Sequence, residues 1–247
     1  MTRASRKDIV EALLDRYPRT SAEQLGVRRA DTPSGLYRIL VMSLLMSARI
    51  RASIALDATA ALFAKGWTSP SRMVAASWEE RAQTLNQAGY ARYDERTSTM
   101  LADASAMLVE RYHGDLRRLR EEAGRDPATE RARLDEFKGV GEVGVDIFFR
   151  EAQRAWPELY PFADRRTLDV AEELGLGSNA RSLARLARGD RFVRLVHALV
   201  QTHLEGTERE IVDAAAHARA GTSRHPHTRR PTESARATRR RVTPPRG

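Results

Sequence analysis

Apolar residues recur every three to four positions along most of the chain, a spacing that lines one face of an α-helix. From Arg6 to Tyr17 this puts Ile9, Leu13, Leu14 and Tyr17 on a single stripe, and Pro18 stops the helix. The run Gly35–Ala48 (GLYRILVMSLLMSA) is apolar on nearly every side, which predicts a helix at the centre of a bundle. Helices are also expected at Ile54–Ala64 and after Ser69-Pro70, and another opens at Ser77, where Ser77 and Glu80 have the spacing of a capping box. Asp94–Tyr112 reads as a long helix ended by His113-Gly114. Asp126-Pro127 reads as a cap followed by Pro in the first turn, opening a helix to about Phe137. A short turn, Lys138-Gly139-Val140-Gly141, leads directly into Val143–Gln153. Later helices are expected at Arg165–Leu174, Asn179–Ala187, Arg191–His203 and Glu208–Arg219, begun by Asp164, Ser178, Asp190 and Thr207. No segment alternates apolar and polar residues with β-branched enrichment, and no Asn-Gly turn occurs. The expected fold is all-α, and the lack of a fixed period argues against a solenoid.

Composition narrows the chemistry. Hydrophobic residues at 41% are enough for a core. The absence of cysteine excludes disulfides, zinc–thiolate sites, iron–sulfur clusters and thiol nucleophiles. The longest charge-free apolar stretch is Ile39–Ala48, far short of the roughly 20 residues that span a bilayer. The first residues, MTRASRKDIVEALLDRYP, carry scattered charge and no apolar signal core, so a soluble, cytoplasmic protein is expected, acting as a monomer.

The net charge of +9 suggests a polyanionic partner, yet Arg219–Gly247 alone carries nine Arg against one Glu. That segment holds four Pro and almost no large apolar residue, which predicts a disordered basic tail. It reads either as a phosphate tether or as an Arg-biased extension with no role. The rest of the chain is close to neutral, so nucleic-acid binding has to come from a local site.

The stretch Leu134–Gly177 holds the chemistry. Gly139-Val140-Gly141 joins two helices by a turn too short to present side chains. Its glycines let backbone approach a ligand closely, and the free N–H groups at the start of the next helix suit a phosphate oxygen. Gly144, one turn in, lets the helices pack tightly. A plain tight turn explains the same residues. About 20 residues later, Pro161-Phe162-Ala163-Asp164 ends at a helix start, where Asp164 reads equally as an ordinary N-cap.

Together, Phe137–Gly141 and Asp164 resemble the helix-hairpin-helix DNA glycosylase superfamily, of which endonuclease III is a member. There the hairpin reads Leu-Pro-Gly-Val-Gly, and an Asp after an apolar segment begins a later helix. Leu44–Arg49 (LLMSAR) is similar to the family's Leu-Leu-Ser-Ala-Gln segment near the damaged-base pocket, and Gln87–Tyr90 to its Ile-Gly-Leu/Phe-Tyr region. The order and spacing extend over residues 5–205. The resemblance implies duplex DNA with a damaged base as partner, a nucleoid-associated location, and hydrolysis of the N-glycosidic bond of a flipped nucleotide. It implies Asp164 as the catalytic carboxylate and Lys138, Gly139, Val140, Gly141, Val143 and Gly144 at the DNA backbone. Ser47, Arg49 and Tyr90 would form the base pocket or wedge. No cofactor is expected, though the resemblance allows a monovalent cation at the hairpin carbonyls.

Three departures shape the reading. Bifunctional members place a Schiff-base Lys two residues after the second hairpin Gly, where this chain has Val143. Lys138 replaces the usual hairpin Pro, and phosphate or solvent is its expected neighbour. Arg49 stands where the family has Gln, giving a longer, charged wedge. These departures point to a monofunctional enzyme and leave open a DNA-binding protein that has lost turnover. A helical interaction domain with an RNA-binding tail would explain the composition but not the hairpin–Asp pair. The expected organisation is a helical domain over 32–153 and a second made of 1–31 plus 154–218, with 219–247 as the tail.

Removing Arg219–Gly247 is expected to weaken non-specific DNA affinity and flatten the slope of log affinity against log salt, without changing lesion preference. Anisotropy titrations across a salt series measure both, and an unchanged slope would show that the tail is not a tether.

Overall fold

Local capping decides where most helices begin. In the computed structural model, which describes the backbone of residues 4–222 and the side chains of 4–218, Ser5 accepts from Asp8 N–H and Asp8 accepts in return, starting α1 (Arg6–Arg16). Thr20 and Glu23 make the same box for α2 (Ser21–Gln24), a short helix that the periodicity does not predict. Then follow α3 (Pro33–Met46), α4 (Ala52–Ala64), α5 (Pro70–Ala75) and α6 (Trp78–Leu85), the last opened by the expected Ser77–Glu80 box. The chain continues through a wide turn, Asn86–Tyr90, into α7 (Asp94–Tyr112), which His113 ends in a left-handed conformation. After it come α8 (Leu116–Glu122), α9 (Pro127–Asp135) and α10 (Gly141–Ala152). The last are α11 (Arg165–Glu173), α12 (Ala180–Leu186), α13 (Asp190–Glu205) and α14 (Glu208–Thr222).

The fold is all-α among the described residues. Two expected caps are corrected: Asn179, not Ser178, accepts from Ser182 N–H, and Gly189 precedes α13 while Asp190 pairs with Arg154 instead. The final helix runs three residues past Arg219, so the tail cannot begin there. The remainder of that segment lies outside the described residues.

Two apolar cores organise these helices. The first is built round α3, whose residues Leu36–Leu45 are buried except for Arg38, and draws in α4, α7, α8 and α10. The second joins α1 to α11, α12, α13 and α14. The apolar residues of 1–31 divide between them: Ile9, Val10, Leu13 and Leu14 enter the second core, but Ala22, Leu25 and Val27 enter the first. Trp156 and Leu159 also pack in the first core. The chain crosses between cores at these points because Glu151 of α10, itself buried, accepts from Thr20 Oγ1 at 2.7 Å and from Ala22 N–H at 3.4 Å.

Glu130 of α9 is fully buried and neither carboxyl oxygen has a hydrogen-bond partner. Burial, then the neighbouring Glu158, pushes it up to about 8, while Arg120 opposes the shift and Asp126 adds to it. A group raised on folding contributes stability below its unfolded pKa and loses it as pH rises through the folded value. The wild-type urea midpoint is therefore expected to fall between pH 6 and 9 by the equivalent of roughly 2–4 kcal/mol. Glu130→Gln should flatten that decline; a variant with the wild-type pH dependence would exclude Glu130 as its source.

A candidate nucleic-acid interface and base pocket

Helices α9 and α10 are joined by Phe137–Val140 in a tight hairpin. Phe137 and Val140 are its buried anchors, with Phe137 stacked on Tyr112 at 6.3 Å. Gly139 takes a φ of +91°, and a Cβ there would lie 2.7 Å from Met100 Sδ. Gly141 also has a positive φ, +56°, but faces open space. Gly144 is the close-packing position: a Cβ would meet Val140 Cγ1 at 2.9 Å and the Ser43 carbonyl at 3.6 Å. No side chain caps α10, since Val140 occupies the cap, so its first-turn N–H groups stay available to an anion.

The other expected site residues fall into distinct places. Ser47 Oγ donates to the Leu44 and Gly139 carbonyls, the latter at 3.2 Å, and so fastens the hairpin to the end of α3. Lys138 is exposed and pairs with Asp103 of α7 at 2.6 Å. Tyr90 is wholly buried in the first core and donates to the Leu45 carbonyl, and it also lines the hairpin cavity with Ser47 and Arg49. Its phenol is pushed up to about 12 by burial. Arg49 is exposed at the rim shared by two cavities. One, about 880 Å³, runs along the hairpin beside Tyr93 and Arg96. The other, about 580 Å³, lies between the two cores. Val143 is 53% exposed and lines the second cavity. The guanidinium groups of Arg49, Arg51, Arg96 and Arg166, which line these cavities, have no ion-pair partner among the described residues.

Asp164 caps α11: Oδ1 accepts from Thr167 N–H at 3.1 Å and Oδ2 from Thr167 Oγ1 at 3.0 Å. Its side chain is 9% exposed. The preceding segment is held to α10, because Phe162 N–H donates to Gln153 Oε1 and Gln153 Nε2 donates to the Phe162 carbonyl. Phe162 also meets Phe149 edge to face at 5.4 Å.

Two residues that the sequence reading missed complete the site. Arg150 Nε lies 3.2 Å from Asp164 Oδ2, near enough for an ion pair but off the direction of a hydrogen bond. Asp164 does not itself line the inter-core cavity; Arg150 does. His197 of α13 also lines it, buried, with Nε2 unpartnered. Burial, and then the charge of Arg150, lowers His197 to about 4, so the ring is neutral at physiological pH. A signal for Arg150 was present: it stands in the run Val145–Ala152, whose other members are mostly apolar. Among the described residues, no group of three or more acidic or His side chains is placed to hold a metal, and no helix is long and apolar enough to cross a membrane.

No protein-family model and no curated protein matches this chain. Among solved structures, it is similar at 17% identity to a trapped endonuclease III–DNA covalent intermediate, an estranged-adenine complex. The TM-score is 0.46, and the match covers 78% of this chain and 82% of that one. A non-covalent endonuclease III–DNA complex is similar at 17% identity and TM-score 0.47, covering 78% of this chain and 81% of the other.

The two hairpin glycines should separate in a melting experiment. Gly141→Ala meets only backbone strain and is expected to cost about 1 kcal/mol. Gly139→Ala adds a collision with Met100 and should cost roughly 2–4 kcal/mol. Equal losses in thermal melts would contradict the packing of Met100 under the hairpin.

Proposed function

We propose that this chain is a DNA glycosylase of the helix-hairpin-helix type, acting on a damaged base flipped out of duplex DNA. The observation that carries the reading is the role of α10. It begins in the uncapped hairpin and, about 14 Å further along its axis at 1.5 Å per residue, holds Asp164 through Arg150. One rigid helix thus relates a phosphate site to a carboxylate beside the inter-core cavity. Unpaired guanidiniums at the cavity rims supply counter-charge to the DNA backbone. Arg49, on the ridge between the two cavities, is placed to fill the gap left by the extruded nucleotide.

In this reading the glycosidic bond breaks with its electron pair leaving on the base. Asp164 stabilises the positive charge developing on the sugar and orients the water that adds to it. Val143 offers no amine at the position where bifunctional relatives attack the sugar, so the abasic strand is released uncleaved. A second reading, a DNA-binding protein without turnover, is favoured by one observation. Asp164 already caps α11 and faces Arg150, which leaves 9% of its side chain accessible.

Asp164→Asn decides between them. The amide still caps the helix but leaves Arg150 without an anion, so a stability loss of about 1–3 kcal/mol is expected. Adding Arg150→Met should recover most of that loss without recovering excision. Asp169, an exposed carboxylate on the same helix, is the control, and Asp169→Asn should keep its activity. The assay is excision from a panel of lesion duplexes, read with and without alkali. Full activity in Asp164→Asn would refute the catalytic role, and a wild type that binds DNA but excises nothing would establish the second reading.

A further inference from the structure

The inter-core cavity has a mixed lining, with apolar walls and arginines at its rim. Ile147 of α10 and Val193 and Val200 of α13 face it, with Met42 and Met46 from α3. Its volume of about 580 Å³ suits a small, flat ligand. The buried polar residues that line it are Ser21, Glu151 and His197, with Arg150 part-buried beside them; the Glu151 carboxylate is already engaged by Thr20 Oγ1 and Ala22 N–H. Arg150 is 18% exposed in its side chain, its Nε is turned to Asp164, and neither Nη has a hydrogen-bond partner among the described residues. His197 is 7% exposed with Nε2 unpartnered. An Arg side chain offers donors and no acceptor, so the open Nη groups of Arg150, which keep some solvent access, match acceptor atoms on a ligand.

Resting on the glycosylase reading, we infer that Arg150 receives the edge of the extruded base and takes up the negative charge that the base carries away. The substrate class follows from that chemistry: bases with a carbonyl oxygen beside the glycosidic nitrogen, which leave as anions. When the C1′–N bond breaks, its electron pair moves onto the base and is delocalised onto that oxygen. Arg150 donates through Nη1 and Nη2 to the oxygen beside the glycosidic nitrogen. Water adds to C1′, and its proton passes to Asp164 or to solvent. Neutral His197 supplies one further donor or acceptor at the same end of the cavity. Alkylated purines that carry a positive charge before cleavage and leave neutral are disfavoured, since the fork repels their charge and finds no developing anion. Exocyclic amines facing the fork meet donor against donor.

Single-turnover excision by the full-length protein tests the inference on duplexes containing uracil, 5-fluorouracil or 7-methylguanine. Wild type is expected to release the two carbonyl-edged pyrimidines at least tenfold faster than 7-methylguanine. Arg150→Met should slow uracil release by about a hundredfold and 5-fluorouracil release by less, because the better leaving group depends less on the guanidinium. A merely structural Arg150 would slow both equally, and that result would overturn the inference. If Arg150→Met does not fold, Arg150→Lys keeps the charge and loses the fork, and the same unequal losses are expected. The wild-type comparison stands without any variant: 7-methylguanine released as fast as uracil overturns the substrate class while leaving a glycosylase. Failure to excise any base overturns both this assignment and the glycosylase reading.

Discussion

Charged residues at the C-terminal end of α10 lie buried between two apolar cores, and the arrangement of the molecule follows from how each finds a partner. Glu151 is pushed up by burial, an effect partly offset by Thr20 Oγ1 and Ala22 N–H. Arg154, just past the helix, reaches both Glu23 and Asp190, while Arg194 of α13 reaches the same Glu23 carboxylate. Burial alone would raise Glu23, but Arg194, Thr20 N–H and Arg154 outweigh it and bring it to about 2. Removing Glu23 would leave Arg154 and Arg194 without their shared anion, at a cost reduced by solvent screening because Arg194 and Asp190 are partly exposed. The set ties α2, the end of α10 and α13 together at Glu23.

Placed this way, α10 serves two ends. Its first turn is free of side-chain caps, and the close approach of Gly144 to the Ser43 carbonyl lets it lie beside α3, where Ser47 holds the Gly139 carbonyl. Its last turn positions the segment leading to Asp164 through Gln153 and Phe149. Phosphate-facing backbone and pocket-facing side chains are therefore coupled by a single helix and not by a loop, which limits how far either can drift.

Much of this was legible in the chain because the signals were local. The Ser77–Glu80 box, Asp126-Pro127, the left-handed stop at His113 and the Asp164 cap each depend on a few adjacent residues. The two-core arrangement was only partly legible, since the crossing at Ala22–Val27 depends on Glu151, more than 120 residues away in sequence. Short helices such as α2 and α8 escape periodicity because one or two turns hold too few apolar positions to show a stripe. The resemblance puts Tyr90 at the base pocket or wedge, and the structure buries it in the first core beside the hairpin cavity. Arg150 was missed because a single charged residue in a helix reads as solvent-facing unless its phase is compared with its neighbours. Glu151 gives that comparison: it shares a face with Gly144, Ile147 and Phe148, so the end of the helix that carries both charges turns inward.

The docking of α1 sets the order in which this architecture can assemble. Tyr17 at its end reaches Glu205 and Thr207, Glu11 pairs with Arg191, and the helix packs along α13 and α14. The first core needs no residue beyond Leu159 to close round α3, whereas the second must bring together segments some 190 residues apart. During synthesis that is the later event, because α13 and α14 leave the ribosome only after the segments of the first core. Until it happens the α13 wall of Val193, His197 and Val200 is missing, so the cavity closes only as the two ends of the folded body meet.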